Sequence, residues 1–168
     1  MMSITHAMLE DWPDIRQIYI EGIRTGHATF QKEEEVLGIE QGAEWFAGKI
    51  ENLRFKVMDD DESMLGWAML SLVSSRPVYA GVTEVSIYLG DNARGRGIGT
   101  LLLQHLIRES EAAGIWTLQA GIFPENKASI RLHENCGFRI LGIREKLGKM
   151  NGEWRDVAFM ERRSTVVL

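Results

Sequence analysis

Apolar residues recur at helical spacing in the first part of the chain and alternate in the middle. Ile15, Ile18, Tyr19 and Ile23 recur at helical spacing, which predicts a helix with one buried side. Asp11 is placed as its cap and Pro13 in its first turn, with Gly22 a weak point inside it. A second helix is expected over residues 39–52, with Trp45, Phe46 and Ile50 as its apolar set. Ser3–Met8, Phe55–Met58 and Met64–Val73 read as strands. The aspartates at 59–61 and Glu62 read as a hairpin turn; they lack the alternate ligand spacing and glycine of a calcium loop, and no metal is expected. Lys32 to Glu35 is a solvated charge run.

The next strand, Glu84–Leu89, has two faces: Val85, Ile87 and Leu89 on one, Glu84, Ser86 and Tyr88 on the other. Ile98, Leu102 and Leu106 follow at four-residue steps and predict a buried helical stripe, ended at Gly114. Ile115–Ile122 reads as a strand. Ala128, Leu132 and Cys136 then share a helical face, Gly137 stops that helix, and Phe138 opens another strand.

Composition narrows the classes. The 168 residues suit one domain, 1–168, with a real core. A net charge of −5 argues against a nucleic-acid surface. Cys136 is the only cysteine, so no intramolecular disulfide forms; this fits a reducing cytoplasm. No apolar run approaches a membrane span, and the N-terminal residues lack the pattern of a secretory signal.

Between the alternating strand and the stripe lies Arg94-Gly95-Arg96-Gly97-Ile98-Gly99-Thr100. A glycine-rich turn feeding a helix presents backbone N–H groups at the positive end of the helix dipole, where a phosphate binds. A Walker loop would need a Lys-Ser or Lys-Thr pair, and the chain has none. A dinucleotide fingerprint needs Gly-x-Gly-x-x-Gly, whereas here the spacing is Gly-x-Gly-x-Gly. Coenzyme A held by an Arg/Gln-x-x-Gly-x-Gly loop is the third class, and the loop resembles that signature of the GNAT family of N-acetyltransferases. Asn126-Lys127-Ala128-Ser129-Ile130-Arg131-Leu132-His133, ending in Gly137-Phe138, resembles that family's second motif, with His133 where many members carry tyrosine. Within the family, Ile18-Tyr19, Trp45-Phe46, Glu84 in its strand and the run Gly152–Phe159 are similar to phosphinothricin and methionine sulfoximine acetyltransferases.

The resemblance implies an α/β fold with a mixed, twisted central sheet splayed in the middle and helices on both faces. It implies acetyl-CoA as cosubstrate. The pantetheine arm would pair with the backbone of Ile87, Tyr88 and Leu89, and Arg94 through Thr100 would hold the pyrophosphate. Asn126 and Ser129 would fix the pantetheine and its supporting turn. It also implies a homodimer.

For the acceptor, Glu84 is the candidate base, since acyl transfer needs a neutral amine and burial can raise a carboxylate towards the working pH. His133 is the candidate acid for the leaving thiolate, with a water-orienting role as the alternative. Phe30, Arg76, Glu84 and Ser86 are the candidate acceptor contacts, Arg76 for an acid group. His27 reads as a loop histidine. Cys136 has no evident base beside it, which disfavours an acetyl-cysteine route. The expected reaction is direct attack by the amine of a small amino acid or analogue in a ternary complex. A protein or peptide acetyltransferase and a non-catalytic acyl-CoA-binding module share the cofactor motifs and stay open as alternatives.

Overall fold

The computed structural model describes residues 1–168. The helical spacing at the N-terminus gives α1, Trp12–Arg24, whose Ile15, Ile18 and Ile20 are buried. Asp11 does not cap α1 through its side chain. Its carboxylate accepts from the Met8 amide and pairs with Lys56 Nζ at 2.7 Å; the half-buried ammonium competes successfully for it. The second helix, α2, is only Gly42–Ala47, preceded by a single tight turn at Ile39–Gln41. It is shorter than expected because Gly48 ends it. At Gly42 an added Cβ would lie 2.7 Å from the Trp12 ring, so the start of α2 rests directly on α1.

The strands are β1 Ser3–His6, β2 Arg54–Met58, β3 Met64–Leu72, β4 Val82–Leu89, β5 Thr117–Ile122, β6 Arg139–Met150 and β7 Glu153–Arg163. They form one sheet in the order β1-β2-β3-β4-β5-β7-β6. Every neighbouring pair is antiparallel except β4 and β5. Asp59 closes the β2–β3 turn by accepting from the amides of Asp61 and Ser63, each at 2.9 Å, as expected of an aspartate-rich hairpin.

Two further helices, α3 Ile98–Ala112 and α4 Lys127–Asn135, complete the elements. Leu102, Leu103 and Leu106 of α3 are fully buried against Ala68 and Leu70 of β3 and the flank of α4. The opposite sheet face carries Trp67 and Met69 of β3 and is covered by α1 and α2. Alternation along β3 and β4 therefore separates two cores. Trp67, Met69 and Ser71 pair with Tyr88, Ser86 and Glu84, which places the candidate base on the α1 side. No helix is long and apolar enough to cross a membrane.

Candidate active site

The parallel pair is incomplete. β4 and β5 pair only at Val82–Glu84 with Thr117–Gln119. Beyond Glu84 the strands diverge, and the resulting cleft is a cavity of about 860 Å³. The facing edge of β4, residues 85–89, keeps its outward backbone groups free of a β5 ladder. Buried backbone donors and acceptors require partners, so this edge is suited to an extended ligand.

The glycine loop closes one end. Arg94, Gly95, Gly97, Gly99 and Thr100 line the cavity. Gly95 and Gly97 are left-handed, φ +74° and +77°, and an added Cβ at either meets nothing within 4 Å. Gly97 occupies the cap position of α3 with no side-chain cap, so the first amides of α3 are free for an anion. Ile98 is buried in the core instead. Arg96 turns back to the Asn92 carbonyl, 3.3 Å, and Arg94 pairs with Asp91 at 2.7 Å. Along α4, Asn126 caps the helix by accepting from the Ser129 amide and donates to the His27 carbonyl, both at 3.2 Å. One asparagine thus orders both the second motif and the loop after α1.

Thr25 and His27 to Phe30 of that loop line the cavity. Phe30 stands edge-on to Phe123 with ring centroids 4.9 Å apart, and Gly148 leaves room for it: a Cβ there would sit 3.1 Å from the ring. Phe30 is therefore plug and wall at once. Arg155 donates to the Gly26 carbonyl at 3.0 Å and lies 4.0 Å over the Phe123 ring. Gly22 is no weak point: Tyr88 packs so close that a Cβ on Gly22 would meet its ring at 2.7 Å. Tyr88 stacks on Trp67 and meets Tyr19 edge-on, and burial pushes both phenols above their usual range.

Glu84 and Ser86 both line the cavity. Glu84 is exposed, so the protein alone does not supply the burial expected for it; only ligands filling the cavity can desolvate it. Arg76 is exposed beside Tyr79 and does not line the cavity. It immediately precedes a tight turn, Pro77–Tyr79, in the loop after β3. His133 is 2% exposed. Its Nδ1 lies 2.7 Å from the Ser129 carbonyl, and since a carbonyl only accepts, Nδ1 carries the proton. Nε2 is buried without a partner. Burial holds the imidazole below the usual histidine pKa, so the neutral ring presents a lone pair rather than a proton.

Two residues had no motif to announce them. Lys49, just past α2, has Nζ 3.4 Å from Ser71 Oγ and 4.9 Å from the Trp45 ring centre. Burial depresses its pKa while the charge of Glu84 pulls it back up. Arg144 of β6 lines the cavity from the far side; only the β6–β7 register puts it there.

A cleft in a splayed parallel pair, with an uncapped glycine-rich helix start at one end and a carboxylate at the other, has room for an extended anionic ligand. The profile of the Acetyltransferase (GNAT) family matches residues 8–138. The chain is 34% identical over 165 residues to phosphinothricin N-acetyltransferase of Streptomyces coelicolor, covering 96% of this chain and 95% of that one. It is 33% identical over 163 residues to the L-methionine sulfoximine/L-methionine sulfone acetyltransferase of Pseudomonas paraeruginosa, covering 95% and 92%. The crystal structure of a GNAT superfamily phosphinothricin acetyltransferase from Sinorhizobium meliloti in complex with AcCoA matches with a TM-score of 0.86. It is 31% identical, with 96% of this chain and 88% of that one covered. The chain belongs to the GNAT family and is an acetyltransferase.

Proposed function

We propose that this chain moves the acetyl group of acetyl-CoA to the α-amine of a small amino acid or analogue, such as phosphinothricin or methionine sulfoximine, by direct attack in a ternary complex. The observation that carries this reading is the cavity itself: a free β4 edge runs from the glycine cradle to Glu84, the one acidic side chain lining it. The residues fit the cosubstrate, because left-handed Gly95 and Gly97 leave open the space that side chains would fill and α3 presents uncapped amides. The acetyl-CoA relative and the amino-acid-analogue relatives support the same reading.

Acetyl-CoA, when bound, supplies an acetyl thioester. Gly95 to Thr100 hold its phosphates, and the β4 backbone at Ile87–Leu89 holds the arm. One N–H of that edge polarises the thioester carbonyl, a contribution of about 3–4 kcal/mol per donor. Glu84 takes the amine's proton, through water where the distance requires it; the amine nitrogen bonds to the acetyl carbon, the C–S bond breaks, and coenzyme A leaves as a thiolate that takes its proton from solvent. His133 would have to be charged while buried in order to act as an acid, which burial opposes. We therefore assign it to holding α4, through Ser129, rather than to protonating the thiolate. Cys136 is buried, with its thiol pushed up by burial, and takes no part.

We further propose a homodimer through β6. This edge strand runs twelve residues and leaves Ile140, Leu141, Ile143 and Leu147 exposed, with Trp154 beside them on β7. A long apolar edge calls for a cover.

The testing experiment is release of free coenzyme A from acetyl-CoA with phosphinothricin, methionine sulfoximine, methionine sulfone, common amino acids, polyamines and short peptides. Turnover of an amino-acid analogue is expected. Turnover of peptides alone, or tight acetyl-CoA binding with no turnover, overturns the reading.

A further inference from the structure

We propose that Arg144 selects acceptors whose side chain ends in an anionic acid, its guanidinium holding that distal group while Glu84 receives the α-amine. The inference rests on the amino-acid acetyltransferase reading above and adds a residue and a chemical preference to it.

Three arginines line the cavity. Arg94 belongs to the glycine loop and is paired with Asp91. Arg131, likewise without a carboxylate partner, is on α4 next to Leu132, which packs on Gly99 of the same loop, and so lies at the glycine-loop end. Arg144 has no carboxylate partner in the protein. It is the cation available to an acceptor.

Register fixes which face it occupies. Glu84 pairs with Gln119, Gly121 with Phe159 and Arg144 with Val157. A Cβ on Gly121 would meet Val157 Cγ1 at 3.2 Å, so Gly121 and Val157 share a face. By alternation that face also holds Glu84, Gln119, Phe159 and Arg144. The floor between the two charges is low, since Gly121 has no side chain, and Phe159 and Val157 wall it.

Three strand steps and four residues along the sheet separate Glu84 from Arg144, roughly 19 Å between Cα atoms. Both residues line the cavity, so their side chains can span part of that distance. The remaining gap is too long for an α-carboxylate, which lies two bonds from the amine. It suits an acid at the end of the side chain. A guanidinium fork matches a carboxylate or phosphinate with two parallel hydrogen bonds.

The test compares phosphinothricin, which has a distal phosphinate, with methionine sulfone, which is uncharged there, in wild type and Arg144→Gln. The variant should raise the phosphinothricin KM about 10- to 100-fold while the methionine sulfone KM stays within about threefold. Coenzyme A affinity should not change. Equal losses on both acceptors, or no loss on either, overturn the proposal. Should wild type acetylate neither, calorimetry of phosphinothricin on the coenzyme A-loaded protein decides. Binding that Arg144→Gln abolishes supports the site and sinks the acetyl-acceptor reading; no binding by wild type sinks both.

Discussion

Replacing Gly97 with alanine, with Gly114→Ala made beside it, separates backbone strain from exclusion of the cosubstrate. Both glycines are left-handed, φ +77° and +84°, and an added Cβ at either meets nothing within 4 Å. Each alanine therefore carries the same penalty for an L residue in that conformation, about 1–2 kcal/mol, and no protein clash. For a chain of this size that lowers Tm by roughly 2–8 °C in both variants. The difference is location. Gly97 lines the cavity at the start of α3, whereas Gly114 ends α3 outside it. At Gly97 the methyl group enters the space where a phosphate must approach the amides. Losing one charge-assisted hydrogen bond there, about 1.5–3 kcal/mol, weakens coenzyme A binding about 10- to 100-fold. Isothermal calorimetry with coenzyme A and thermal melts without it read the two effects independently. Unchanged affinity in Gly97→Ala, or an equal loss in Gly114→Ala, would refute the assignment of this loop as the phosphate cradle.

Glu84→Gln should lower kcat about 10²- to 10⁴-fold with coenzyme A affinity unchanged; full activity across the pH range removes Glu84 as the base. His133→Phe should cost about 1 kcal/mol of stability, from the lost bond to Ser129, and leave kcat within about tenfold. A larger fall in kcat at an unchanged Tm would restore the acid role. Because burial depresses the folded-state pKa of His133, the unfolded chain binds more protons, and stability falls as pH drops through about 6.5. Denaturant midpoints at about pH 7.5 and about pH 5.5 should show that loss in wild type and less of it in His133→Phe; equal slopes would mean His133 is not the group responsible. Ile143→Glu, on the sheet face away from Arg144, should shift a dimer to monomer in sedimentation velocity. A wild type that is already monomeric at micromolar concentration rules out the β6 interface.

Periodicity was enough for most elements, because local propensity and tertiary packing agree there. The stripe at Ile98, Leu102 and Leu106 is buried as expected, and Gly114 and Gly137 stop their helices with positive φ. It failed at α2. Trp45, Phe46 and Ile50 are all apolar, but the helix ends at Ala47, and Ile50 reaches the other core, packed against the cluster that includes Leu53 and Phe55. Helical spacing cannot tell one helical face from two short segments that feed different cores. Asp11 misled for a similar reason: an aspartate before a helix signals a cap, but Lys56 is distant in sequence and took its carboxylate.

Local chemistry determined the glycine loop at one end of the cavity. Gly95 and Gly97, left-handed between β4 and α3, fix both the backbone freedom and the direction of the helix amides, and both are set within a few residues. The rest of the cavity is different, being assembled from α1, the loop after it, β4, β5 and the β6–β7 hairpin. Each contributes one or two side chains. Arg76 sits in the expected loop but stays outside the cavity, while Arg144, in a strand with no motif, lines it. Charge and residue type could nominate an arginine. Only strand register, which is a property of paired chains rather than of any one segment, decided which arginine lines the cavity.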